Sequence, residues 1–401
     1  MSLKIKIPNH KIINCYYAIA ILAYFVAIYF PFIRVGLLMS LVIIIGIFIL
    51  YGNKKLKLRN SLDIIVLLYI LYNILTIVFF IPSNIPLIVF FKEFSNSILP
   101  IILFYFFGKL NHDKSFYKIT LYSVSICLLL SFYYQLTLPI SFMQRLDVID
   151  GTGTNPLGYL SQYSSFLGIT ATGSLGAIAS FLAFNLMHET NYKKGKILFF
   201  LCTIAVILAL RRGSIYSLVF SILLFDVIIL FKFRRYLKLI TFQFIIALLI
   251  IFFLIDFDSD SYLFFIDRVS SISSAIAERS DSWYNGLAKT FSIVTGDGLG
   301  RYGHKVVSYS DIYIPDGNYF RMIAEIGILG FLIFVSIILA SIYKGFSKIR
   351  THYVQLIIIF IVCLQSIGSD MFSFQLVAPI FWYSVGACNK IEHSIKNIKQ
   401  T

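Results

Sequence analysis

The chain has 401 residues, of which 59% are hydrophobic and only 13% are charged. A soluble domain has roughly 45 to 50% apolar and about 25% charged residues, so the composition excludes an ordinary soluble protein and favours one with many membrane spans. The net charge of +15 is therefore interpreted through membrane topology, and no nucleic-acid partner is expected.

Apolar windows of about 20 residues predict an all-α, polytopic membrane protein. Residues 1–401 are expected to form one membrane-embedded domain of about twelve helices. These helices are predicted near 12–32, 35–51, 62–81, 85–107, 116–139, 157–187, 197–210, 214–231, 237–255, 319–343, 353–369 and 372–388. The first segment follows a basic start and lacks a small-residue cleavage pattern, so it is expected to remain as a span.

Lysine and arginine cluster in alternate connections between the predicted helices. Examples are the cluster from Lys54 to Arg59 and the cluster from Lys232 to Lys238. Because basic connections tend to stay in the cytoplasm, this alternation predicts that both termini are cytoplasmic. The expected location is the inner (cytoplasmic) membrane of a cell, with several passes and with membrane lipids as neighbours.

The connection at 256–318 is much longer than the others and is predicted to be extracytoplasmic. Connections longer than about 12 to 15 residues are usually functional or disordered. This one concentrates acidic and aromatic residues, so we expect short helices here that lie over the outer mouth of the bundle. The sequence GDGLG at 296–300 has no preceding strand and is expected to be a turn rather than a nucleotide-binding loop.

Arg211 and Arg212 stand together in the otherwise apolar stretch VILALRRGSIYSL. The predicted helix before them is short, which places both guanidinium groups on the outer side but below the lipid headgroups. Gly213 and Ser214 are expected to form a tight hairpin. Arg211 can extend to the membrane surface, whereas the pair together favours an anion such as a lipid phosphate or diphosphate.

Charged residues within predicted spans are a second indication of function. Lys92 and Glu93 lie in the middle of a predicted helix. Because neighbouring residues on a helix point about 100° apart, a direct pair between them is hindered, and Lys92 is a candidate for binding a diphosphate. Glu325 lies one turn into a later helix, where it is expected to cap the helix or to pair with Arg321.

Four stretches in order resemble the O-antigen polymerase and ligase family, the Wzy-type membrane glycosyltransferases. They are QRLDVIDGTGTNPLGYLS at 144–161, LALRRGSIYSL at 208–218, ERSDSWYNGLAKTFSIVTGDGLGRYG at 278–303 and PDGNYFRMIAEIGILGFLIF at 315–334. The resemblance covers residues 144 to 334. It implies a GT-C-like fold and an enzyme that polymerises oligosaccharide units carried on a polyisoprenyl diphosphate, for O-antigen or capsule.

The resemblance also implies partners and chemistry. The donor and the acceptor are undecaprenyl-diphosphate-linked oligosaccharides at the outer face of the membrane, and a chain-length regulator is a candidate partner. No cofactor and no metal are expected. Arg212 and Arg279 match the family's arginines and are expected to neutralise the departing diphosphate. The remaining candidates for substrate binding are Arg145, Asn155, Trp283 and Asn318, beside Arg211, Lys92 and Glu325.

The base that activates the attacking hydroxyl is less clear from the sequence. Ligases of the family carry His directly before the Asn, whereas this chain has Gly317 before Asn318. His304 is nearby in sequence but not at the matching position. Asp316 or Glu278 is therefore expected to act as base, and the missing His favours a polymerase over a ligase.

A transporter or flippase for lipid-linked oligosaccharide is an alternative of another class. It would also show about twelve spans with buried charges, but two six-helix halves should be joined by a central cytoplasmic linker and show internal repeats. The sequence shows neither feature, which favours the polymerase.

Overall fold

The computed structural model describes residues 9–389, except 31, 33, 53–59, 111–114, 138–163, 190–191, 210, 233–271 and 315. Within these residues the structure is helical, and extended pairing is limited to one isolated bridge between Ser165 and Gly168. The protein is an all-α membrane protein, as the composition predicts. Among the described helices, five are long and apolar enough to cross a membrane: Ser61–Phe80, Leu87–Leu110, Ser115–Thr137, Ile169–Glu189 and Asn318–Ser347.

The described helices follow the predicted order. They are α1 (Asn9–Asn14), α2 (Tyr16–Tyr29), α3 (Val35–Tyr51), α4 (Ser61–Leu75), α5 (Ile77–Phe80), α6 (Leu87–Ser97), a π-helical turn (Ile101–Tyr105), α7 (Phe106–Leu110), α8 (Ser115–Thr137), α9 (Ile169–Glu189), α10 (Tyr192–Leu208), α11 (Arg212–Lys232), α12 (Ile272–Ala288), α13 (Asn318–Ser347), α14 (Ile349–Gln365) and α15 (Ala378–Cys388). The helix predicted at 237–255 lies outside the described residues. The twelve-span count and the GT-C-like fold stay predictions.

Three predicted boundaries differ from the structure. The helix predicted from residue 157 begins at Ile169, and residues 164–168 before it form a turn. The predicted hairpin at Gly213 and Ser214 lies instead in the first turn of α11, because α10 has already ended at Leu208. The helix predicted at 372–388 begins only at Ala378. Pro379 follows that start, where a missing N–H costs nothing.

Small residues bring helices close together inside the bundle. Helix α9 is rich in Gly, Ala, Ser and Thr, and most of its apolar window is buried by other parts of the protein. A Cβ added at Gly173 would lie 2.8 Å from the Ser214 hydroxyl. A Cβ added at Gly386 would lie even closer to the backbone of Tyr105. Such contacts are typical of membrane helices, which associate through close van der Waals packing.

Helix α13 is broken at Gly327, near its predicted outer end. Gly327 has φ 68° and ψ 174°, which are not helical values and are nearly restricted to glycine. The first part of the helix therefore runs over residues 318–326, and the second part continues from residue 328. Neither the apolar pattern nor the EIGILG sequence predicts this break.

The GDGLG segment fills the break in α13. Asp297 N–H donates to the Ala324 carbonyl (3.0 Å), and Gly298 N–H donates to the Glu325 carbonyl (2.9 Å). On the other side of the break, Ile328 N–H donates to the Ile293 carbonyl (2.9 Å). The glycines at 296, 298 and 300 all have positive φ, so the segment is a series of turns, which confirms that prediction. The segment thus supplies hydrogen bonds that an unbroken helix would supply itself.

The connection between α14 and α15, residues 366–377, is irregular but largely buried, and we call it the buried connection. Its backbone is bound by side chains from distant helices. The hydroxyls of Tyr16 and Tyr17 donate to the carbonyls of Gln375 (2.9 Å) and Leu376 (2.7 Å). Non-helical backbone at membrane depth is stable only when protein groups or water satisfy it. This explains why an apolar run predicted as helix is not helical here.

The opposite end of the bundle is held by a second polar cluster. The Lys109 ammonium group pairs with the Asp63 carboxylate, and both are buried. Asn389, directly after α15, donates to Asp63 (3.1 Å), and Lys344 of α13 donates to Asn389 (2.5 Å). Lys109 lies just beyond the span predicted at 85–107, but the structure buries it inside the bundle as part of an ion pair.

The break at Gly327 gives a stability prediction. A Cβ at this position would lie 2.2 Å from the Val294 carbonyl oxygen, and the backbone conformation is unfavourable for alanine. We expect Gly327→Ala to lower the free energy of unfolding by about 1 to 3 kcal/mol or more, measured as a lower unfolding temperature in detergent. Gly213→Ala is the matched control, since nothing lies within 4 Å of its added Cβ. Equal unfolding temperatures for the two variants would contradict the role of Gly327.

Candidate functional site

A group of charged side chains surrounds the buried guanidinium of Arg321, in the first part of α13. Arg321 Nη2 donates to Glu93 of α6 (3.0 Å), and Nη1 donates to Asp370 of the buried connection (2.7 Å). Its Nε lies 3.7 Å from Glu325, one turn further along the same helix. The expected pairing of Glu325 with Arg321 is confirmed. One guanidinium thus joins three carboxylates from three separate segments.

Glu93 has a second cationic partner. Lys305 Nζ donates to Glu93 Oε2 (2.9 Å) and to the backbone carbonyl of Lys92 (3.0 Å). The Ser97 hydroxyl also donates to Glu93 (3.0 Å). A carboxylate in an apolar bundle is stable when it is paired and fully hydrogen bonded, and Glu93 meets both conditions.

The loop between α12 and α13 brings further groups to the same end of the bundle. Asp297 accepts hydrogen bonds from the N–H groups of Phe291 (2.9 Å) and Ser292 (3.2 Å) and from the Tyr302 hydroxyl (2.6 Å). Tyr302 N–H in turn donates to Glu325 (3.1 Å). Asp297 therefore fixes the loop, and the loop positions His304 and Lys305 in a short 3-10 turn.

His304 lies between two carboxylates at the exposed rim of this charged group. Its Nε2 atom is 3.6 Å from Asp370 Oδ2 and 3.9 Å from Asp316 Oδ1. The imidazole side chain is 55% exposed, so solvent or a substrate can reach it. When carboxylates lie beside one ring nitrogen of an exposed imidazole, the other nitrogen can accept a proton. The carboxylates then stabilise the imidazolium that forms.

Arg279 of α12 lies on the other side of Asp316. Its Nη2 atom is 3.3 Å from Asp316 Oδ2, and its Nη1 donates to the Gly368 carbonyl (3.2 Å). Both side chains are about one-third exposed. Asp316 has a positive φ of 47°, which is uncommon for a residue other than glycine and is often found at functional sites. Arg279, Asp316, His304 and Asp370 therefore form one continuous row of charged or titratable groups.

Burial affects the protonation of the innermost member of this row. It raises the pKa of the Asp370 carboxyl above its usual value, and the nearby Arg321 and His304 act in the opposite direction. Burial and the adjacent Asp297 carboxylate also raise the pKa of the Tyr302 hydroxyl. The hydroxyl therefore stays neutral and donates a hydrogen bond to Asp297.

Arg211 and Arg212, at the start of α11, lie at the same end of the bundle as Arg279. Arg211 Nη2 donates to the Thr170 hydroxyl, and Arg212 is the first residue of α11. Gln365, the last residue of α14, donates to the Ser217 hydroxyl of α11 (2.9 Å). Gly368, which accepts from Arg279, follows only three residues later. The end of α14 thus lies between α11 and Arg279, while a joint site of Arg212 and Arg279 stays a prediction.

Three other predicted binding residues have mainly structural contacts. Trp283 is buried, and its ring stacks on Phe320 with centroids 4.7 Å apart. The Asn318 amide oxygen, in its satisfied orientation, accepts from the N–H groups of Met371 (3.1 Å) and Phe372 (2.9 Å). Asn318 thus holds the buried connection. Lys92 has an exposed side chain, separated from the buried side chain of Glu93.

Some expected residues lie outside the described part of the chain. Arg145 and Asn155 belong to the segment 138–163, and nothing is described of the Glu278 side chain. Among the described residues, no group of His, Cys, Asp and Glu could hold a metal ion.

The residues at the centre of the charged group are not evident from the sequence. Arg321 is predicted only as a partner of Glu325, and Asp370 lies between two predicted spans. His304 does not match the position of the histidine in the family that the chain resembles. A usable signal did exist for Glu93, since a carboxylate in the middle of an apolar helix requires a cationic partner elsewhere.

Comparisons with protein families, with curated proteins and with solved structures find no match for this chain.

Proposed function

We propose that the chain is a membrane glycosyltransferase of the polymerase type. It transfers a growing glycan from a polyisoprenyl diphosphate to the terminal hydroxyl of a second lipid-linked repeat unit, at the outer face of the cytoplasmic membrane. The observation that carries the proposal is the exposed His304, flanked by Asp316 and Asp370 and followed in the row by Arg279. A proton acceptor and an anion-binding guanidinium are the two groups that this reaction requires.

In the proposed reaction, the acceptor hydroxyl attacks the anomeric carbon of the donor sugar. The new C–O bond forms while the bond between that carbon and the diphosphate oxygen breaks, and the diphosphate leaves with the electron pair. His304 takes the hydroxyl proton on Nδ1, because Nε2 faces the two carboxylates. Asp316 and Asp370 then stabilise the imidazolium. This assignment replaces Asp316 as the base and keeps it as a positioning residue.

The diphosphate would be bound by arginines. Arg279 reaches the exposed rim with its guanidinium, and Arg212 lies at the start of α11 at the same end of the bundle. A planar guanidinium matches two oxygens of a diphosphate and stabilises the charge that develops as it leaves. Arg211 binds Thr170 and has a supporting role.

A transporter of lipid-linked oligosaccharide is a second candidate, favoured by one feature. The broken helix α13 and the buried connection resemble the discontinuous segments that line transporter binding sites. A ligase is a third candidate, because it uses the same donor chemistry. Deletion of the gene separates the three functions.

Deletion is expected to leave surface glycan with only one repeat unit, because single units would still be transported and attached. Glycan ladders on gels and extraction of lipid-linked intermediates measure this. Loss of a ligase would instead leave polymer attached to the polyisoprenyl lipid. Loss of a flippase would leave single lipid-linked units on the cytoplasmic side, where externally added glycosidase cannot reach them. Either of these outcomes would contradict the polymerase.

The base is tested by comparing substitutions in the row. We expect His304→Ala to slow polymerisation by on the order of 100-fold or more, because general base catalysis contributes about that much. Asp316→Asn and Asp370→Asn should have smaller effects, since they only position and stabilise the imidazole. The initial rate of polymer formation in isolated membranes, normalised to protein amount, is the measurement. Tyr309→Phe, an exposed change in the same loop, is the control. A normal rate for His304→Ala with a severe defect for Asp316→Asn would return the base role to Asp316.

The arginines are tested by alanine and lysine substitutions. We expect Arg212→Ala and Arg279→Ala each to abolish long chains at near-normal protein level, with poor rescue by lysine, which lacks the planar fork. Arg211→Ala should be milder. Arg301→Ala is the control. Arg301 lies in the same loop, and its nearest approach to the Asp297 carboxylate is a long 4.0 Å. Parallel loss of protein and of activity would indicate that the arginines act only in folding.

A further inference from the structure

A small cavity lies directly beside Glu325, at the inner side of the charged group. Its volume is about 20 Å³, which is enough for one water molecule. Polar side chains from four segments line it, namely Asn73 of α4, Ser97 after Glu93, Asn318, Arg321 and Glu325 of α13, and Ser373 of the buried connection. Apolar side chains, among them Leu299, Met322 and Phe334, complete the lining. A cavity of this size with several polar groups on its wall can hold a bound water molecule that satisfies them.

Asn73 has an acceptor atom that requires a donor. The residue is completely buried, and its amide nitrogen donates to the Tyr69 carbonyl (2.8 Å). Its Oδ1 atom has no hydrogen-bond partner among the described residues. Leaving such an acceptor unsatisfied is costly, so the site favours a ligand that brings a hydrogen-bond donor.

The charges around the cavity do not balance. Glu93, Glu325 and Asp370 are three carboxylates, whereas the cations in contact with them are the buried Arg321, the partly exposed Lys305 and, when it is protonated, the exposed His304. One negative charge is therefore uncompensated when all three carboxylates are ionised and His304 is neutral. The cost of such a charge in an apolar medium is large enough that the group takes up a proton instead.

We propose that this cavity is a site for one exchangeable proton, carried by Glu325 together with a bound water molecule. The protonated carboxyl removes the excess charge, and the proton and the water supply the donor that Asn73 Oδ1 requires. The ligand is a hydrogen ion from the side of the membrane on which His304 lies. The site does not depend on the proposed glycosyl transfer, because a proton-coupled transporter could use it equally.

Geometry assigns the proton to Glu325 rather than to its neighbours. Glu93 is 2.9 Å from Lys305 and 3.0 Å from Arg321, and Asp370 is 2.7 Å from Arg321. Glu325 is 3.7 Å from its nearest cation and is thus the least compensated of the three. Tyr302 N–H donates to its Oε1 atom, and the backbone of Gly300 also donates to the carboxylate.

The site has a short connection to the exposed rim. Arg321 contacts both Glu325 and Asp370, and Asp370 faces His304, whose imidazole is exposed. Proton exchange with the outside passes beside Arg321 through water, because a guanidinium does not release its proton. The groups that face Glu325 or its partners and could change its protonation are Tyr69 and Asn73 of α4, Glu93 of α6, Tyr302, His304 and Lys305 of the loop, Arg321 of α13 and Asp370 of the buried connection.

The decisive substitution is Glu325→Gln, compared with Glu93→Gln. Glutamine has the shape and charge of a protonated glutamate, so Glu325→Gln should fold with wild-type stability at low pH. Glu93→Gln should be strongly destabilised at every pH, because it removes a needed negative charge from Arg321 and Lys305. Unfolding temperatures of the purified full chain in detergent measure both. If Glu325→Gln is as unstable as Glu93→Gln, then Glu325 is ionised and the proposal is wrong.

The pH dependence has a definite sign. A carboxyl that is protonated in the folded protein and ionised in the unfolded chain stabilises the fold at low pH, and this contribution is lost as the pH rises. Above the ordinary glutamate pKa of about 4.3, the wild-type folding equilibrium constant should fall by up to about tenfold per pH unit until Glu325 ionises in the folded protein. Glu325→Gln should remove this slope. A slope removed by Asp370→Asn and kept in Glu325→Gln would overturn the assignment.

Two further measurements keep the test independent of folding. The infrared C=O stretch of a protonated carboxyl should be present in the wild type and absent from Glu325→Gln, and a wild type without it would refute the site. In the second measurement, the unfolding temperature of the protein in sodium chloride is compared with that in choline chloride, at equal ionic strength and alkaline pH. A stabilisation specific to sodium that disappears in Glu325→Gln would show that the cavity takes a metal cation and not a proton.

Discussion

The Arg321 guanidinium connects parts of the chain that are far apart in sequence. Glu93 is 228 residues away from it, and Asp370 is 49 residues away. In an apolar surround a buried carboxylate is stable only when it is paired, and Arg321 provides this pairing for Asp370 and, together with Lys305, for Glu93. The arrangement fixes α6, the first part of α13 and the buried connection relative to one another. The exposed row of His304, Asp316 and Arg279 depends on this support, because Asp370 belongs to both groups.

Backbone hydrogen bonding imposes an equally strict condition on the same region. The break in α13 and the buried connection both expose peptide groups at a depth where water is scarce. The GDGLG segment satisfies the break, while Tyr16, Tyr17 and Asn318 satisfy the buried connection. Irregular backbone is therefore concentrated where the charged side chains meet. Such irregular and strained backbone is typical of functional sites.

The sequence predicted the fold class and the order of the helices well, because apolar windows report directly on burial in a membrane. It also indicated the loop that carries Asp316 and His304 and the pairing of Arg321 with Glu325. It could not indicate that Glu93 meets Arg321, since nothing local records a contact between distant segments. The break at Gly327 was missed for a related reason. The groups that stabilise it are contributed by residues 293–298, and the helix pattern itself continues without interruption.

His304 shows a different limit of sequence reasoning. A family pattern fixes the position of a functional residue only where the backbone follows the same path. Here the loop folds back through Asp297 and Tyr302, and this brings a histidine from another position to the start of α13. Trp283 shows the reverse case, because a residue in an apparently matching position is buried against Phe320.

The broken helix also has a consequence for biosynthesis. Residues 293–298, which complete the hydrogen bonding around Gly327, precede α13 in the chain and are therefore made before it. Glu93 likewise precedes Arg321, so part of the charge of the guanidinium can be compensated as soon as it enters the bilayer. The other partners of Arg321, namely Glu325, Asp370 and Ser373, follow it in the chain. The backbone of the broken helix is therefore provided for before the helix is made, whereas the charge of its arginine is fully compensated only once the segment after α14 is in place.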